Sequence, residues 1–245
     1  PRVYYGECTA AEVGVRPIMD EIRDSTDVYL CPSEFVREDL VTNFGIPREA
    51  TRLMPYAVNP RWLRLDNRPV PGRVLFVGGA ELRKGIHVLA EAARLLSDGT
   101  TRCEIHVAGH ASESIRSRTE TRQLTFLGRL DSTRMRQAYE TADIVALPSL
   151  AEGSAGVTYE AMGCGIPVVT TFEAGSVVCD GIEGRIVPAR DAQALASAIA
   201  EVVADREIRD AMGRAGRARA ATLGWDDFAA RLEAAVFSPL MGDQP

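Results

Sequence analysis

The sequence predicts an α/β fold with a doubly wound parallel sheet, and two features of the chain from residue 73 onward predict it. Short runs rich in valine, isoleucine and leucine recur there without polar alternation. Such runs are typical of strands that are buried on both faces of a parallel sheet. Amphipathic segments of helical periodicity separate the runs, and they supply the crossover connections that parallel strands require. We therefore expect helices on both faces of one sheet.

The first three predicted strands of this sheet follow one another from residue 73. The run "RVLFVGG" ends in glycines and predicts a buried strand that enters a tight turn. In the next segment, "KGIHVLAEAARLLSDG", Ile86, Leu89, Ala93 and Leu96 have helical spacing, and Gly99 is the predicted stop. The runs "CEIHVAG" and "LTFLG" predict the second and third strands.

The remaining elements continue the alternation. The segment "DSTRMRQAYETA" predicts a helix capped by Asp131, "DIVALPS" a strand broken by Pro148, and "IPVVTT" a further strand. The segment "DAQALASAIAEVVAD" carries Leu195, Ile199 and Val202 on one stripe. That stripe predicts an amphipathic helix that packs on the sheet. Together these elements complete a sheet of Rossmann-like type.

The domain organisation is predicted from where the regular pattern begins. Residues 1–58 contain two strand-like runs, "DVYLCPS" and "ATRLMPY", and one helical segment, "EFVREDLVTNFG". This is too little to bury a core alone, so we interpret it as the tail of an incomplete N-terminal domain. Residues 59–72 carry three prolines and several charges and resemble an interdomain linker. Residues 73–223 form the predicted sheet domain, and 224–237 a C-terminal helix.

Composition narrows the class of partner. The chain has 245 residues, a formal net charge of −6 and a pI of about 5.3, which argues against nucleic acid as the main partner. No apolar run reaches membrane-spanning length. The five cysteines include no CxxC pair, so we expect reduced thiols in a cytoplasmic protein. The three histidines and the cysteines lack metal-ligand spacing, and we therefore predict no metal site.

Two acidic residues stand out near the carboxyl ends of the predicted strands, where doubly wound sheets bind ligands. The segment "AEGSAGVTYEAMGCGIPVV" places Glu152 on a loop and Glu160 about one turn into the following helix. A carboxylate accepts two hydrogen bonds side by side, which suits vicinal hydroxyls, and helical amides between them suit negative charge. A nucleotide sugar has this distribution of groups. The alternative is a solvated loop glutamate and a favourable acid near a helix N-terminus.

The same segment resembles the donor-binding signature of retaining glycosyltransferases of family 4, also called glycosyltransferases group 1. That family carries two glutamates separated by seven residues, then a small-residue turn and a "PVV" strand, as in residues 152–169 here. The stretches "VLFVGGAELRKGIHVLAEA", "ADIVALPS" and "GIEGRIVPARDAQALASAI" resemble further family segments in the same order. The resemblance covers roughly residues 26–237.

The resemblance implies a role for several residues. Lys84 corresponds to the lysine that contacts the donor diphosphate, Glu152 to the glutamate near the transferred sugar, and Glu160 to the one that binds the ribose. Glu152 and Lys84 are the implied catalytic residues. Backbone amides of the loop that follows Glu152 would face the sugar hydroxyls; these residues are Gly153, Ser154, Ala155 and Gly156.

Two further correspondences with the family have an alternative interpretation or a departure from its pattern. The segment from Leu127 to Leu130 corresponds to the loop against the nucleobase, although a plain strand-to-helix turn explains it equally well. Many family members have an arginine where this chain has Gly79. Arg83 is a candidate replacement for that cation, and it matches no arginine of the family.

The resemblance also implies the reaction. The chain would be the C-terminal half of a GT-B architecture, in which a sugar moves from a nucleoside diphosphate to an acceptor with retention, without a cofactor or metal. The acceptor would be a sugar, a lipid-linked molecule or another small molecule, and peripheral membrane association is a further implication. The helix at 224–237 would cross back toward the first domain. Without that domain we expect no transfer, and a module that only binds the nucleotide sugar is the alternative.

Two other nucleotide-binding classes are disfavoured by spacing. A dinucleotide-dependent oxidoreductase would have GxGxxG after the first strand, and "GGAELRKG" lacks it. A P-loop enzyme requires GxxxxGK[ST], whereas here Gly85 follows Lys84.

Overall fold

A computed structural model of the chain describes residues 22–23, 25–99 and 101–237. It contains eight strands: β1 Tyr29–Cys31, β2 Thr51–Leu53, β3 Arg73–Val77, β4 Glu104–Ala108, β5 Leu124–Gly128, β6 Ile144–Leu147, β7 Val168–Thr171 and β8 Gly184–Val187. The last six form one sheet in the order β5-β4-β3-β6-β7-β8, and each of its pairings is parallel. This is the strand order of the Rossmann fold, in which the winding direction reverses between the first and fourth strands, here β3 and β6.

Helices connect successive strands of the sheet from β3 to β7, and three further helices follow β8. Their bounds are α1 Glu34–Phe44, α2 Pro60–Leu63, α3 Ile86–Ser97, α4 Glu113–Arg116, α5 Ser132–Thr141, α6 Gly156–Gly163, α7 Ala192–Ala204, α8 Arg206–Ala221 and α9 Trp225–Phe237. Asp131 caps α5 by accepting a hydrogen bond from the amide of Arg134. Gly99 follows the end of α3, as predicted.

The two faces of the sheet bury separate cores. On β3, Val74 and Phe76 join a cluster with residues of α3 and α7, whereas Leu75 and Val77 join a cluster with residues of α5, α6 and α8. Alternate residues of a strand point to opposite faces, so both faces are covered by helices. The predicted doubly wound parallel sheet is confirmed.

Two elements of this domain are absent from the sequence analysis. The stretch "GRIV" forms β8 at the sheet edge, where a Cβ on Gly184 would lie 1.8 Å from the Val168 carbonyl oxygen. Glycine is therefore the residue that permits this strand to approach β7. Helix α8 has no long apolar run, and it packs on α6 where a Cβ on Gly216 would lie 3.4 Å from the Met162 Cα.

The described part of the N-terminal segment folds as β1-α1-β2, with the two strands parallel. Tyr29, Cys31 and Ile46 form its small core. It contacts the sheet domain through the Ser33 hydroxyl, which donates 2.6 Å to the Gly153 carbonyl oxygen. Its predicted origin, the tail of an N-terminal domain, stays a prediction.

The segment 59–72 packs closely against the sheet domain. It contains α2, whose Trp62 is buried, and Leu65 is buried just beyond the helix. A Cβ on Gly163 of α6 would lie 3.0 Å from the Trp62 Cβ. The segment that resembles an interdomain linker is therefore packed on the sheet domain, and its role between two domains stays a prediction. Helix α9 agrees with the predicted helix at 224–237, and its crossing to another domain is untested.

Four cysteines lie within the described residues, and all four are free thiols. Burial raises the pKa of Cys103 to about 11 and that of Cys164 to about 12, so both stay protonated at neutral pH. Cys8 lies outside the described residues.

Candidate functional site

The candidate site begins where the loops after β3 and β6 meet at the reversal of winding. Gly85 has φ of 74°, and a Cβ there would lie 1.9 Å from the Pro148 carbonyl oxygen. Any larger residue at position 85 would force the two loops apart. The close contact between loops from adjacent strands creates the crevice in which doubly wound folds bind ligands.

Glu152 holds two cations from the β3 loop in this crevice. Its Oε1 lies 2.5 Å from Lys84 Nζ and its Oε2 lies 2.9 Å from Arg83 Nη1. The Arg83 guanidinium also donates 2.8 Å to the Ala151 carbonyl oxygen. Lys84 and Glu152 are 68 positions apart in the sequence, and their side chains are 17% and 13% exposed. The fold therefore brings together the predicted pair Lys84 and Glu152, and it adds Arg83 to them.

Lys84 is unusual in two respects. It is the single lysine of the chain, since the other 27 of the 28 basic residues are arginines. Its aliphatic stem lies over Gly78, where a Cβ would be 2.9 Å from Lys84 Cδ. The ammonium is a compact charge with three donors, whereas a guanidinium is a flat fork. The crevice thus receives a cation of different shape from every other one in the protein.

In the glycine-rich loop after Glu152, two residues form hydrogen bonds inside the protein and two are exposed. The buried Ser154 hydroxyl donates 2.8 Å to the Gly175 carbonyl oxygen and pairs with the Tyr159 hydroxyl at 2.9 Å. The Ala155 amide donates 3.0 Å to the Ala174 carbonyl oxygen. By contrast, Gly153 and Gly156 are exposed, and a Cβ on either would meet no described atom within 4 Å. Sugar binding by the Ser154 side chain or the Ala155 amide would require these internal hydrogen bonds to break.

Helix α6 starts at Gly156 beside this loop. Within the described part of the chain, no side chain caps its N-terminus. The first amides of a helix lack partners inside the helix and carry partial positive charge. They add to the positive character that Lys84 and Arg83 give to the crevice.

Glu160 lies one turn further along α6 and is half-buried. Its Oε2 accepts a hydrogen bond of 2.6 Å from the hydroxyl of Tyr139 on α5. Burial raises the pKa of Glu160 above its ordinary value, and the Tyr139 hydrogen bond and the charge of Arg61 oppose that rise. Glu160 therefore differs from Glu152, whose contacts are two cations.

An open cleft of about 930 Å³ lies beside Glu160. Val77 and Val157 line it together with Glu160. Val77 directly precedes Gly78, over which the Lys84 stem lies. The cleft and the Lys84 cluster thus adjoin at the carboxyl end of β3. Its other lining residues come from α2, the adjoining turn and α5: Arg61, Trp62, Arg64, Leu65, Ser132, Thr133, Met135, Arg136, Gln137 and Glu140.

The remaining predicted residues are nearby but make no contact that defines a role. Leu127 is the penultimate residue of β5 and Leu130 lies in the loop before α5; both are half-buried against the core under α5. A Cβ on Gly79 would lie 2.7 Å from Oε1 of the exposed Glu81 side chain. The predicted roles of Gly79, Leu127 and Leu130 stay predictions.

Sequence reasoning missed Tyr139, Arg61 and Trp62. Arg61 and Trp62 belong to the segment that was interpreted as a linker, and Tyr139 is one apolar residue of a helix. No spacing rule connects Tyr139 to Glu160, 21 positions later. By contrast, the sequence shows directly that Lys84 is the single lysine of the chain, which distinguishes it from the other cations.

Within residues 22–23, 25–99 and 101–237, neither a metal site nor a membrane-spanning helix is found. Among them, no three His, Cys, Asp or Glu side chains come together as a metal site requires. None of the helices in these ranges combines the length and apolar character needed to cross a bilayer.

The fold and this site define a doubly wound α/β domain with a cluster of paired acids and cations at its switch point. A family model described as glycosyl transferases group 1 matches residues 71–205, and the chain belongs to that family.

Individual relatives agree with the family assignment. A D-inositol 3-phosphate glycosyltransferase of Xylanimonas cellulosilytica is 27% identical over 247 residues, which cover 87% of this chain and 57% of the relative. A glycogen synthase of Mycobacterium tuberculosis is 29% identical over 212 residues, 81% of this chain and 50% of that protein. The chain therefore spans about half the length of the curated relatives it matches.

A solved structure shares the fold. HepE of Anabaena, crystallised with UDP and glucose, has a TM-score of 0.72 at 19% identity, over 94% of this chain and 67% of HepE. At that identity the similarity concerns the arrangement of helices and strands.

Proposed function

We propose that this chain is the donor-binding half of a retaining, metal-independent glycosyltransferase of family 4, and that its crevice binds a nucleoside diphosphate sugar. The observation that carries the proposal is the contact of Glu152 with both Lys84 and Arg83 at the switch point, beside the cleft that contains Glu160. Two cations on one acid, with a second acid in the adjoining cleft, suit a diphosphate that joins a sugar to a ribose.

The cations would act on the departing diphosphate. When the bond between the anomeric carbon and the diphosphate oxygen breaks, negative charge develops on that oxygen. Lys84, Arg83 and the first amides of α6 would stabilise it. Glu152 would then exchange its cation contacts for the sugar, with which it is implied to interact.

Retention is proposed to follow a front-face route. The acceptor hydroxyl oxygen bonds to the anomeric carbon on the face that the diphosphate leaves, and the hydroxyl proton passes to the leaving phosphate oxygen. If the full-length enzyme were strongly inhibited by a fluorosugar that traps covalent intermediates, this route would be wrong.

For the acceptor we propose only a chemical class: a sugar, a lipid-linked molecule or another small molecule. One relative is named for an inositol phosphate and another for glycogen, so family membership does not select among a sugar, a lipid-linked molecule and another small molecule. A cytoplasmic location, with peripheral membrane association through a further domain, is likewise proposed. We expect the present chain to bind the donor and not to transfer it.

Lysine chemistry offers a direct test of donor binding. An acylating reagent should modify Lys84 and the chain's amino terminus, because the sequence has no other lysine. UDP, GDP and ADP are tested in turn, and mass spectrometry follows the rate of modification at Lys84. We expect one of them to protect Lys84 while the amino terminus reacts unchanged. Equal modification with and without all three would contradict the proposed site.

A second test separates binding from catalysis. Calorimetry measures the affinity of the chain for the protecting nucleotide, and a transfer assay compares this chain with a version extended at its N-terminus. Binding without transfer by this chain, and transfer by the extended version, are the expected results. Transfer by this chain alone would contradict the expectation that it is inactive.

A further inference from the structure

Tyr139 is the residue that fixes the carboxylate of Glu160. It is 0% exposed, its ring centroid lies 4.8 Å from that of Trp62, and its hydroxyl donates 2.6 Å to Glu160 Oε2. The Asn67 side-chain amide donates hydrogen bonds to the Tyr139 carbonyl oxygen at 3.0 Å and to the Ala142 carbonyl oxygen at 2.9 Å. The tyrosine is therefore immobilised at its ring, its backbone and its hydroxyl.

The hydroxyl is a permanent donor at this position. Burial and the neighbouring Glu160 carboxylate raise the pKa of Tyr139 well above its ordinary value, so the phenol stays protonated at every working pH. A glutamate side chain has three rotatable bonds, and ordering it costs conformational entropy. A fixed donor on one oxygen removes much of that freedom before any ligand arrives.

The groups that face Glu160 come from three places. Arg61 approaches from α2, Tyr139 and Glu140 belong to α5, and Cys164 follows α6. The cations Arg64 and Arg136 line the same cleft. Among these groups within the described part of the chain, Tyr139 is the one that donates a hydrogen bond to the Glu160 carboxylate.

We propose that Tyr139 is a positioning residue for nucleotide binding: by holding Oε2 of Glu160, it leaves Oε1 to accept hydrogen bonds from the ribose hydroxyls. This inference rests on the proposed function, because it requires a ribose in the cleft. It assigns a role to a side chain that lies fully inside the core and does not itself meet the ligand.

The test is Tyr139→Phe, which keeps the ring and removes the hydroxyl. Calorimetry with the complete 245-residue chain compares UDP, GDP and ADP with their 2′-deoxy forms at a series of pH values. We expect the dissociation constant of the ribonucleotide that the wild type binds to rise about tenfold, the effect of losing a hydrogen bond to a charged group. The 2′-deoxy form should lose less, because it makes fewer of the affected contacts.

The pH profile separates positioning from general damage. The Tyr139 hydrogen bond favours the ionised form of Glu160, so its loss should raise the pKa of Glu160. Affinity would then begin to fall at a higher pH in Tyr139→Phe than in the wild type. In the Glu160→Gln background, the additional Tyr139→Phe change should not move the profile.

Controls make each outcome decisive. Tyr29→Phe removes another largely buried hydroxyl, far from the cleft and bonded to the Ile22 carbonyl oxygen, and should leave affinity unchanged. Thermal unfolding checks that each variant folds. An equal loss for ribonucleotide and deoxynucleotide, or an unmoved pH profile, would overturn the role of Tyr139 while leaving donor binding intact. Failure of the wild type to bind all three nucleotides would instead overturn the proposed function, and the inference with it.

Discussion

Two ion clusters lie at opposite ends of strand β6, and they are chemically alike. At the amino end, Asp143 contacts Arg206 at 2.6 Å and Arg209 at 3.2 Å. At the carboxyl end, Glu152 contacts Lys84 and Arg83. In each cluster one carboxylate contacts two cations that come from a distant part of the sequence.

The surroundings of the two clusters differ. Asp143 is 0% exposed, its Oδ2 accepts a hydrogen bond of 2.8 Å from the Gly72 amide, and Arg209 continues to Asn67 and Asp210. Those partners join the segment before β3 to α8. Glu152, by contrast, lies on a loop beside exposed glycines and an open cleft. The same ion chemistry stabilises the fold at one end of the strand, and at the other end it is the basis of the proposed donor site.

The largest expected effect is on stability. Asp143→Ala should lower the free energy of unfolding by about 3 kcal/mol, the low end for breaking a buried ion pair, because Arg209 keeps Asp210 and Asn67. Urea denaturation measures it. The folded fraction should bind nucleotide as the wild type does. A loss below about 1 kcal/mol would show that burial of this cluster does not matter as we argue.

The next effect is on binding. Lys84→Ala should weaken nucleoside diphosphate binding by about 2 kcal/mol, because a charge-assisted contact to phosphate is lost. The nucleoside without phosphate should bind both proteins equally, as calorimetry can test. Arg94→Ala, which removes an exposed cation on α3, is the matched control. Comparable losses for nucleoside and nucleoside diphosphate would exclude the phosphate role.

A sharper form of the comparison replaces each of the two acids of the site by its neutral amide. Glu152→Gln should tighten nucleoside diphosphate binding by about 1 kcal/mol or less, because an anion that competes for Lys84 and Arg83 is removed. Glu160→Gln should weaken it by about 1.5 kcal/mol, because the charged acceptor for ribose hydroxyls is lost. Calorimetry measures the nucleoside diphosphate affinity of both variants and of the wild type. Changes of the same sign would contradict the separate roles of these residues.

The smallest expected effect is a pH dependence of stability. The folded-state pKa of Glu160 is raised, so its contribution to stability is present below the unfolded-state pKa and is lost as pH rises through the folded-state value. The difference in unfolding free energy between Glu160→Gln and the wild type should therefore shift in favour of the variant between pH 4.5 and pH 7.5. Denaturation at both pH values measures it, and a constant difference would be inconsistent with a raised pKa.

The predicted fold depended on strong local signals. The run at β3 lacks polar alternation, and the spacing of Ile86, Leu89, Ala93 and Leu96 repeats with a helical period; all four are buried on α3. Local signals were weak for β8, which has four residues and begins with glycine, and its place depends on the contact with β7. The short helix α2 was not predicted, because its segment was interpreted as an interdomain linker from its prolines and charges.

The candidate site was predictable only in part. The sequence placed Glu152 on a loop and Glu160 one turn into a helix, and the structure agrees with both positions. The approach of Lys84 to Glu152, 68 positions away, follows from the adjacency of β3 and β6 in the sheet. The predicted role of Ser154 concerns its backbone amide and stays a prediction, whereas its hydroxyl bonds inside the fold. The pairing of Tyr139 with Glu160 had no signal in the sequence.

By itself, the sequence determined which segments become strands and helices, because burial of apolar side chains follows a period that neighbouring residues express. It also supplied the two glutamates and the single lysine. Only the tertiary structure decided which charges meet, since ion pairs and hydrogen bonds depend on distances of a few ångströms between residues that the chain order leaves far apart. That is why Asp143 and Glu152, alike in the sequence, differ in what they can do.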